Sequence, residues 1–275
     1  MKILVNLLCC FIPNKKIRKK IRHQLVVIRE RRKELLSHGF KIEDGIITTP
    51  QGVNINISSN SDDPLYVVKE VFLESDYNLS LNKDSVLIDI GMNRAVASLF
   101  FATNEHIKKI YAYEPFKPTA EIAKRNIKLN PKLAKKINAF NWGLGRTDKI
   151  LELPYLDSAS GCMSTTHNVC GLEVVKRETV CIRDAAAEIF QIIDQNKDKK
   201  ILVKCDCEGA EYEIFERLNE KNILNRLDVI IMEYHFEKPD KLISILVSNG
   251  FAVQTRDRSS RRRILGYIYA VRMND

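Results

Sequence analysis

Long hydrophobic runs and cysteine pairs of the CxxC type are both missing from this sequence of 275 residues. No run approaches the roughly 18–20 consecutive apolar residues that a membrane-spanning helix needs, which excludes an integral bundle of such helices. The seven cysteines are an odd number, and without a CxxC pair they support neither a zinc ribbon nor a thioredoxin-like centre. We therefore expect free thiols in the reducing cytosol. The content of 45% hydrophobic and 29% charged residues is typical of a globular protein.

Acidic residues are almost absent from the start of the chain. Residues 1–33 contain eleven lysines and arginines but one acid, Glu30, whereas residues 34–275 contain 33 basic and 34 acidic residues. The net charge of +9 is therefore a property of the N-terminal segment. Nucleic acid is not the expected partner, because no aromatic side chain interleaves these basic residues. A cluster of five arginines at 256–263 is expected to recognise an anionic group or to solvate a hairpin.

Residues 1–38 are expected to form a basic amphipathic N-terminal arm. An apolar stretch at 3–12 ends at Pro13, and the larger block of charge follows it instead of preceding it as in a secretory signal. Two interpretations stay open. Residues 1–33 contact a membrane surface peripherally, with apolar side chains at the headgroup boundary and cations attracted to anionic lipids, or the segment is a helix that docks on the body of the protein.

The rest of the chain changes character at residue 39. Residues 39–84 are predicted to form a hairpin and a helix beginning near Pro64, both packing on the core. From 85 to 275, strand-like and helix-like segments alternate, which is typical of an α/β protein with an open, mainly parallel sheet. The predicted parallel strands are 85–90, 109–113, 136–140, 201–206 and 229–233. The segments FAVQTRD and ILGYIYAVR are expected to form a terminal antiparallel pair.

Ligands of such sheets bind at the carboxyl ends of the strands, close to the point where the strand order reverses. The first strand ends in DIGMN, residues 89–93, where glycine permits a tight turn and close approach of a ligand to the backbone. The second strand ends in Glu114-Pro115, and Glu114 lies 25 residues after Asp89. An acidic residue at about this spacing accepts hydrogen bonds from ribose hydroxyls. Together the two features favour an adenosine-type cofactor.

Other strand ends carry further candidates. Trp142 follows the third strand, where it would wall an adenine, although packing in the core is the commoner role of a lone tryptophan. The fourth strand runs into DCEGAE, residues 206–211, whose carboxylates lie near a helix N-terminus that favours acids in any case. The fifth strand leads to His235, a residue type that titrates near neutral pH, as a general base must. The candidate catalytic residues are Asp206, Glu208 and His235.

The segments VLIDIGMN, IYAYEP, NWGLG, GCMS, VKCDCEGAEYEIF and IIMEYH occur in the order, and at about the spacing, of the FkbM-type S-adenosylmethionine-dependent methyltransferases. The sequence resembles this family over roughly residues 60–240, and the D-x-E-G-A-E element is the most specific piece. The resemblance implies a class I methyltransferase (Rossmann-like) fold with seven strands. It also implies S-adenosyl-L-methionine as the cofactor and O-methylation of a hydroxyl group on a sugar or secondary metabolite.

The same resemblance implies roles for individual residues. The residues expected at the cofactor are Asp89, Gly91, Asn93, Glu114, Pro115 and Trp142. Among them, the first three would line its methionine end and Glu114 would bind its ribose. Asp206 and Glu208 would lie at the boundary between cofactor and substrate.

The first turn departs from the family pattern D-x-G-A-N-x-G. Met92 stands at the small position, and Arg94-Ala95 replaces a pair of an apolar residue and glycine. The loss of the last glycine narrows the room for backbone approach, and Arg94 would place a cation beside a sulfonium unless it points to solvent. The alternative to an enzyme is therefore a catalytically degenerate methyltransferase fold that serves as an adaptor at a membrane surface.

The expected reaction requires in-line positioning of the acceptor and removal of its proton, for which Asp206 or His235 is the expected base. The acceptor is expected to be a small molecule or a glycan. The N-terminal arm favours an acceptor held at the inner face of the membrane, such as a lipid-linked glycan intermediate, and hence a cytoplasmic, peripheral location. No metal is assigned, although carboxylates and His235 are ligand types that bind divalent ions.

Overall fold

The computed structural model describes residues 15–58, 64–74, 76–156, 163–167, 176–260 and 263–273, with side chains from residue 26 onwards. The apolar stretch at 3–12, the first two residues of GCMS and two of the clustered arginines lie outside the described residues. The chain divides into two compact units, with the described residues up to Asp76 in the first and those from Tyr77 in the second. The domain boundaries predicted after residues 38 and 84 stay predictions. No helix in the described part has the length and apolar character needed to cross a bilayer.

The first unit consists of a long helix, a small sheet and a short helix. Helix α1 (Lys15–Ser37) is followed by strands β1 (Lys41–Glu43), β2 (Ile46–Thr48) and β3 (Asn54–Asn56), which pair antiparallel in that order. Strands β2 and β3 are the predicted hairpin. Helix α2 (Pro64–Phe72) begins at a proline, whose fixed φ suits the first turn of a helix.

The second unit carries the central sheet. Its strands in the described part are β4 (Ser85–Ile90), β5 (Ile107–Tyr113), β6 (Ile137–Phe140), β7 (Gly143–Gly145), β8 (Lys149–Tyr155), β9 (Lys176–Asp184), β10 (Lys200–Cys205), β11 (Val229–His235), β12 (Phe251–Asp257) and β13 (Leu265–Arg272). Its helices there are α3 (Val96–Ala102), α4 (Lys117–Lys128), α5 (Pro131–Ala134), α6 (Ala185–Gln195), α7 (Glu211–Glu220) and α8 (Asp240–Ser248), with a short 3-10 helix at Leu224–Arg226.

The seven strands of the central sheet are ordered β6-β5-β4-β10-β11-β13-β12. The first five run parallel, whereas β13 pairs antiparallel with both β11 and β12. The strand order reverses between β4 and β10, and their register places Asp89 opposite Lys204. The seven-stranded, mostly parallel sheet with its antiparallel terminal pair confirms the predicted class I methyltransferase fold.

The central strands are buried because their sequences are almost continuously apolar. All six residues of β4 are buried, and so are five of the six in β10. Such runs are typical of parallel strands covered on both faces. One apolar core joins these strands to three helices, through Ile189 and Ile193 of α6, Phe215 and Leu218 of α7, and Leu242 and Leu246 of α8.

The segment between β6 and β10 contributes a second, smaller sheet of three strands. Strand β9 pairs parallel with β7 and antiparallel with β8. It ends at Asp184, whose carboxylate caps α6 by accepting the backbone N–H groups of Ala186 and Ala187. The predicted strand boundaries of the central sheet match to within two residues. Strand β11 extends to His235, so this residue lies inside a strand and not after it.

Candidate active site

A pocket of about 570 Å³ opens at the carboxyl ends of β4, β5 and β10, beside the reversal of strand order. Six of the nine residues predicted for the site line it, namely Gly91, Asn93, Glu114, Pro115, Asp206 and Glu208. The other three, Asp89, Trp142 and His235, are not among the lining residues.

Gly91 occupies a position that excludes a side chain. Its φ is +80°, and a Cβ atom there would lie 1.8 Å from the carbonyl oxygen of Asp206. The tips of β4 and β10 thus approach through their backbones, and Asp206 N donates to Ile90 O at 3.0 Å. The N–H groups of Gly91 and Met92 both donate to the carbonyl oxygen of Tyr113, at 3.1 and 2.8 Å. The turn after β4 is therefore tied to the ends of both neighbouring strands.

The carboxylate of Asp89 is fully buried beside Lys204. Ser98 Oγ donates to Asp89 Oδ2 at 2.5 Å, and Lys204 Nζ lies 3.1 Å from Oδ1. Lys204 Nζ also donates to the carbonyl oxygen of Gly91 at 2.7 Å. Burial opposes the charge of Lys204, but Asp89 and Asp206 raise its pKa above the ordinary lysine value. Asp89 therefore supports the turn through Lys204. The residues predicted for the site did not include Lys204, although a lysine inside the apolar run ILVKCD is an unusual feature of a buried strand.

Both carboxylate oxygens of Glu114 accept backbone N–H groups. Oε2 accepts from Asn93 and Oε1 accepts from Phe116, each at 3.0 Å. Burial raises the pKa of Glu114 to about 7, although the two backbone hydrogen bonds lower it. Each carboxylate oxygen has a second lone pair, so this side chain can still accept from hydroxyl donors in the pocket, as the ribose prediction requires.

Asn93 presents an unsatisfied acceptor at the pocket. Its φ is +48°, and its Oδ1 is buried without a hydrogen-bond partner among the described residues. A buried acceptor of this kind costs free energy until a donor reaches it. The ammonium group of an amino-acid ligand is such a donor.

The three residues that depart from the family pattern do not line the pocket. Met92 is 2% exposed, Arg94 3% and Ala95 0%. Arg94 therefore does not point to solvent, but it does not line the pocket where the sulfonium would lie either. Ala95 has a φ of +63°, in the left-handed region that favours glycine. The turn thus keeps the backbone conformation of a glycine at position 95.

Trp142 packs on aromatic side chains and is not part of the pocket wall. Its ring centroid lies 4.7 Å from that of Phe140, and the guanidinium of Arg183 lies 4.0 Å from the centroid of the indole ring. Gly143 and Leu144 line the pocket at this point of the chain instead. The sequence correctly located the segment after β6, but core packing accounts for the tryptophan.

Asp206 and Glu208 follow β10 and line the pocket together. Lys204 Nζ lies 3.8 Å from Asp206 Oδ2, and Arg263 Nη2 lies 3.3 Å from Glu208 Oε1. Burial raises the pKa of Glu208 to about 7, although the charge of His235 lowers it. The two carboxylates are the acidic groups that a substrate in this pocket would meet beyond Glu114.

His235 is surrounded by carboxylates. Its Nδ1 lies 3.0 Å from Glu211 Oε1, and its Nε2 lies 3.6 Å from Glu233 Oε1 and 3.7 Å from Glu208 Oε2. Burial lowers the pKa of His235, but the hydrogen bond to Glu211 and the nearby carboxylates of Glu233 and Glu208 raise it to about 11. A ring that is protonated at neutral pH cannot accept a proton from a substrate. The raised pKa does not favour His235 as the general base, and a catalytic role of this residue stays a prediction.

The structure adds residues to the site that the sequence analysis had not assigned to it. Met163 and Thr165 line the pocket from the segment between β8 and β9. Glu211 accepts both the backbone N–H of Cys207, at 3.2 Å, and a hydrogen bond from His235. Glu211 thus lies in the first turn of α7, where acids are favoured, and it also orients His235. The signal for Glu211 in the sequence was its position three residues after the candidate Glu208.

Known methyltransferases are similar to this chain. The model of the methyltransferase FkbM domain matches residues 89–253. Methyltransferase 1 of Beauveria bassiana (strain ARSEF 2860) is 24% identical over 204 residues, which are 68% of this chain and 81% of that protein. Methyltransferase sdnD of Sordaria araneosa is 26% identical over 220 residues, which are 70% of this chain and 84% of that protein. The crystal structure of methyltransferase FkbM from Methylobacillus flagellatus KT superposes with a TM-score of 0.46 at 13% identity, over 74% of this chain and 47% of that chain.

The residues at the pocket fit S-adenosylmethionine. The buried carboxylate of Glu114 would hold the ribose hydroxyls, and the unpartnered Oδ1 of Asn93 would accept from the ammonium group. Gly91 lines the pocket, and its missing side chain lets the backbone of Asp206 approach the turn. The matched family model covers more than half of the sequence. The chain belongs to the FkbM methyltransferase family, and it is a methyltransferase that uses S-adenosylmethionine as its cofactor.

Proposed function

We propose that this methyltransferase acts on oxygen and methylates a hydroxyl group of a sugar, a glycan or a secondary metabolite. The observation that carries the proposal is that Asp206 and Glu208 line the same pocket as Asn93 and Glu114. The cofactor, when bound, supplies a methyl group that its positive sulfur has already activated. The chain must then hold the acceptor in line and remove its hydroxyl proton.

Asp206 is the group best placed to accept that proton. Its side chain is 30% exposed at the pocket, whereas that of His235 is 1% exposed. Asp206 also directly follows β10, whose tip touches Gly91 of the cofactor turn. Glu208, with a pKa of about 7, is a second carboxylate at the same place and assists in orienting a hydroxyl donor.

The first experiment is a calorimetric titration of the full chain with S-adenosylmethionine and S-adenosylhomocysteine. We expect micromolar binding that Glu114→Ala abolishes, with Glu121→Ala, an exposed acid of α4 paired with Lys124, as the matched control. Asp206→Asn should still bind the cofactor but should not form S-adenosylhomocysteine with polyol or sugar acceptors. If the folded wild-type chain binds neither ligand, the degenerate adaptor replaces the enzyme.

We further propose that residues 1–33 hold the protein at the cytoplasmic face of an anionic membrane, where a lipid-linked glycan is the acceptor. Helix α1 begins inside the polybasic stretch. Farther along it, Val26, Val27 and Ile28 are exposed by 49%, 36% and 38%. Cations beside exposed apolar side chains favour an anionic lipid surface, to which each cation contributes about 1 kcal/mol.

Vesicle co-sedimentation tests this location. The full chain should bind vesicles that contain about 30% phosphatidylglycerol, an anionic lipid, and should not bind vesicles of phosphatidylcholine alone. Replacing Lys15, Lys16, Lys19 and Lys20 by glutamine should weaken binding by roughly a hundredfold or more, since about four charges are lost. The control replaces four lysines at 124, 128, 132 and 135. Equal binding of the two variants to the anionic vesicles would contradict the membrane proposal.

A further inference from the structure

The carboxyl ends of β10 and β11 bring three metal-ligating residue types together. One carboxylate oxygen each of Asp206 and Glu208 and one ring nitrogen of His235 all lie within 4.8 Å of one another. These distances are those of groups that converge on a common point. Asp206 is half-buried, whereas Glu208 and His235 are buried.

The ring of His235 provides an independent observation. This side chain is 1% exposed, and its Nε2 has no hydrogen-bond partner among the described residues. Its Nδ1 is held at 3.0 Å by Glu211 Oε1, so Nδ1 carries the donated hydrogen and the lone pair of a neutral ring is on Nε2. In metal centres, a carboxylate commonly orients a ligating histidine through the other ring nitrogen in this way. Nε2 thus faces the carboxylates of the cluster.

The charge around the ring favours a cation. Glu208 and Glu233 lie 3.7 and 3.6 Å from Nε2, and Glu211 lies on its other side. The described cations near this group are Lys204, which lies between Asp89 and Asp206, and Arg263, which is at Glu208. Buried carboxylates that outnumber their cations are stabilised by a bound metal ion.

We propose that Asp206, Glu208 and His235 bind one divalent metal ion at the acceptor side of the pocket, with Glu211 as the positioning residue for His235. Two carboxylates and one imidazole form a mixed oxygen and nitrogen set, which suits Mn²⁺. Three protein ligands leave positions open on an ion that prefers about six. A substrate would reach the ion from the pocket that Asp206 and Glu208 line.

The ion would select the acceptor, an assignment that rests on the function proposed above. A hydroxyl group bound to a divalent ion loses its proton more readily than a free one. Two of the open positions are best filled by two neighbouring oxygens of one molecule. The substrate class is therefore a chelating acceptor, such as a vicinal diol of a sugar or an α-hydroxy acid. The proton released from the hydroxyl passes to a carboxylate of the cluster.

Titration of the metal-free full chain with MnCl₂, followed by the electron paramagnetic resonance of free Mn²⁺, tests the site. We expect one saturable site per chain. Asp206→Asn and Glu208→Gln should each weaken Mn²⁺ binding at least tenfold, and Glu211→Gln should weaken it about tenfold or more. The matched control is Glu220→Gln, an exposed acid of α7 that pairs with Arg146, and it should bind Mn²⁺ as the wild type does.

A spectroscopic readout separates ligation from general damage to the fold. Pulsed electron paramagnetic resonance of the bound Mn²⁺ should show a ¹⁴N coupling from His235 that is lost in His235→Gln and kept in Glu220→Gln. The inference is overturned if the folded wild-type chain binds no Mn²⁺, or if Asp206→Asn and Glu208→Gln bind it unchanged. The cluster is then an ion-pair network around a protonated ring.

The same preparations distinguish this failure from failure of the proposed function. Each is titrated separately with S-adenosylmethionine. Cofactor binding and methyl transfer without a Mn²⁺ site would overturn the metal inference and leave the function standing. A Mn²⁺ site with the ¹⁴N coupling, in a chain that binds no cofactor, would establish the site and overturn the function.

Discussion

The backbone N–H of Asn93 donates to the carboxylate of Glu114 at 3.0 Å. This bond joins the turn after β4 to the tip of β5, two points that are 21 residues apart in the sequence. The turn and the expected ribose acceptor are thus one structural group. A change in the charge of Glu114 must therefore affect cofactor binding and the stability of the turn together.

Cofactor affinity should depend on pH through Glu114. Its pKa is raised to about 7 in the folded protein, so the carboxylate becomes protonated as the pH falls below 7. A protonated carboxyl is a poorer acceptor for two ribose hydroxyls, and affinity should fall by up to about tenfold per pH unit below 7. Titration calorimetry at pH values from about 5.5 to about 8.5 measures the affinity for the cofactor. Glu114→Gln should bind weakly and without this slope, and an unchanged slope in the variant would assign the titration to another group.

The stability of the cofactor-free protein should show the opposite dependence. A carboxyl pKa raised above its unfolded value stabilises the fold at low pH, and this contribution is lost as the pH rises through 7. The free energy of unfolding of Glu114→Gln, relative to wild type, should therefore increase by a few kcal/mol, about 3 at most, from pH 5 to pH 8. Urea unfolding at the two pH values measures the difference. A difference independent of pH would contradict the raised pKa.

Gly91→Ala should abolish cofactor binding and strongly destabilise the second unit. The new Cβ would lie 1.8 Å from the carbonyl oxygen of Asp206. Because the backbone fixes the position of a Cβ atom, no side-chain rotation can relieve this clash. Gly52→Ala is the matched control, because Gly52 has a φ of +81° and nothing within 4 Å of its Cβ position. The control measures the cost of left-handed backbone alone, about 1–2 kcal/mol. Gly91→Ala should exceed it by about 1–3 kcal/mol, and equal losses in urea unfolding would show that the strands do not touch.

Much of this architecture could be predicted from the sequence because it depends on local patterns. The apolar runs of β4 and β10 identified buried parallel strands, and the glycine of DIGMN identified the turn between a strand and a helix. Glu114 followed from its spacing. These signals survive in a single sequence since each is set by residues within one or two elements.

The failures concern side chains whose surroundings come from distant parts of the chain. His235 was expected to titrate near neutral pH, but the carboxylates of Glu211, 24 residues away, and Glu208 raise its pKa to about 11. Trp142 was assigned to the cofactor, but Arg183 and Phe140 cover its indole. Spacing along the chain places a residue at the end of a strand. It does not fix the direction of the side chain or the charges around it.

Lys204→Met should be far more damaging than its position in an apolar strand suggests. The lysine holds the buried carboxylate of Asp89 at 3.1 Å and the carbonyl oxygen of Gly91 at 2.7 Å. Its removal leaves Asp89 buried and unpaired by a cation, at a cost of about 3–5 kcal/mol. Lys200→Met on the same strand is the matched control, because its partner Asp228 lies nearer the surface and such pairs contribute about 1 kcal/mol or less.

Thermal and urea unfolding of the two variants provide the comparison for this ion pair. Lys204→Met should also lose cofactor affinity, since the carbonyl of Gly91 is released. Adding Asp89→Asn to Lys204→Met should recover part of the lost stability, because the uncompensated charge disappears. A loss in Lys204→Met no larger than that in Lys200→Met would show that the buried pair does not support the turn.

Ala95 is the residue of the first turn whose replacement should improve the protein. It has a φ of +63° and a ψ of 22° at the start of α3, is fully buried, and stands where the family pattern has glycine. The left-handed conformation costs a non-glycine residue about 1–2 kcal/mol. Glycine avoids this cost but loses about 0.5–1 kcal/mol through the entropy of the unfolded chain. The balance favours glycine.

Ala95→Gly should therefore raise the free energy of unfolding by up to about 1 kcal/mol, and cofactor affinity should be equal or higher because the pocket side of the turn is unchanged. The control is Ala97→Gly, inside α3 and 7% exposed, where the same loss of a methyl group in regular helix should cost about 1 kcal/mol. Opposite signs for the two substitutions in urea unfolding can come only from the backbone, since both remove one buried methyl group. Destabilisation of equal size at both positions would mean that residue 95 is not left-handed in solution, and the family pattern would then have been lost in conformation as well as in sequence.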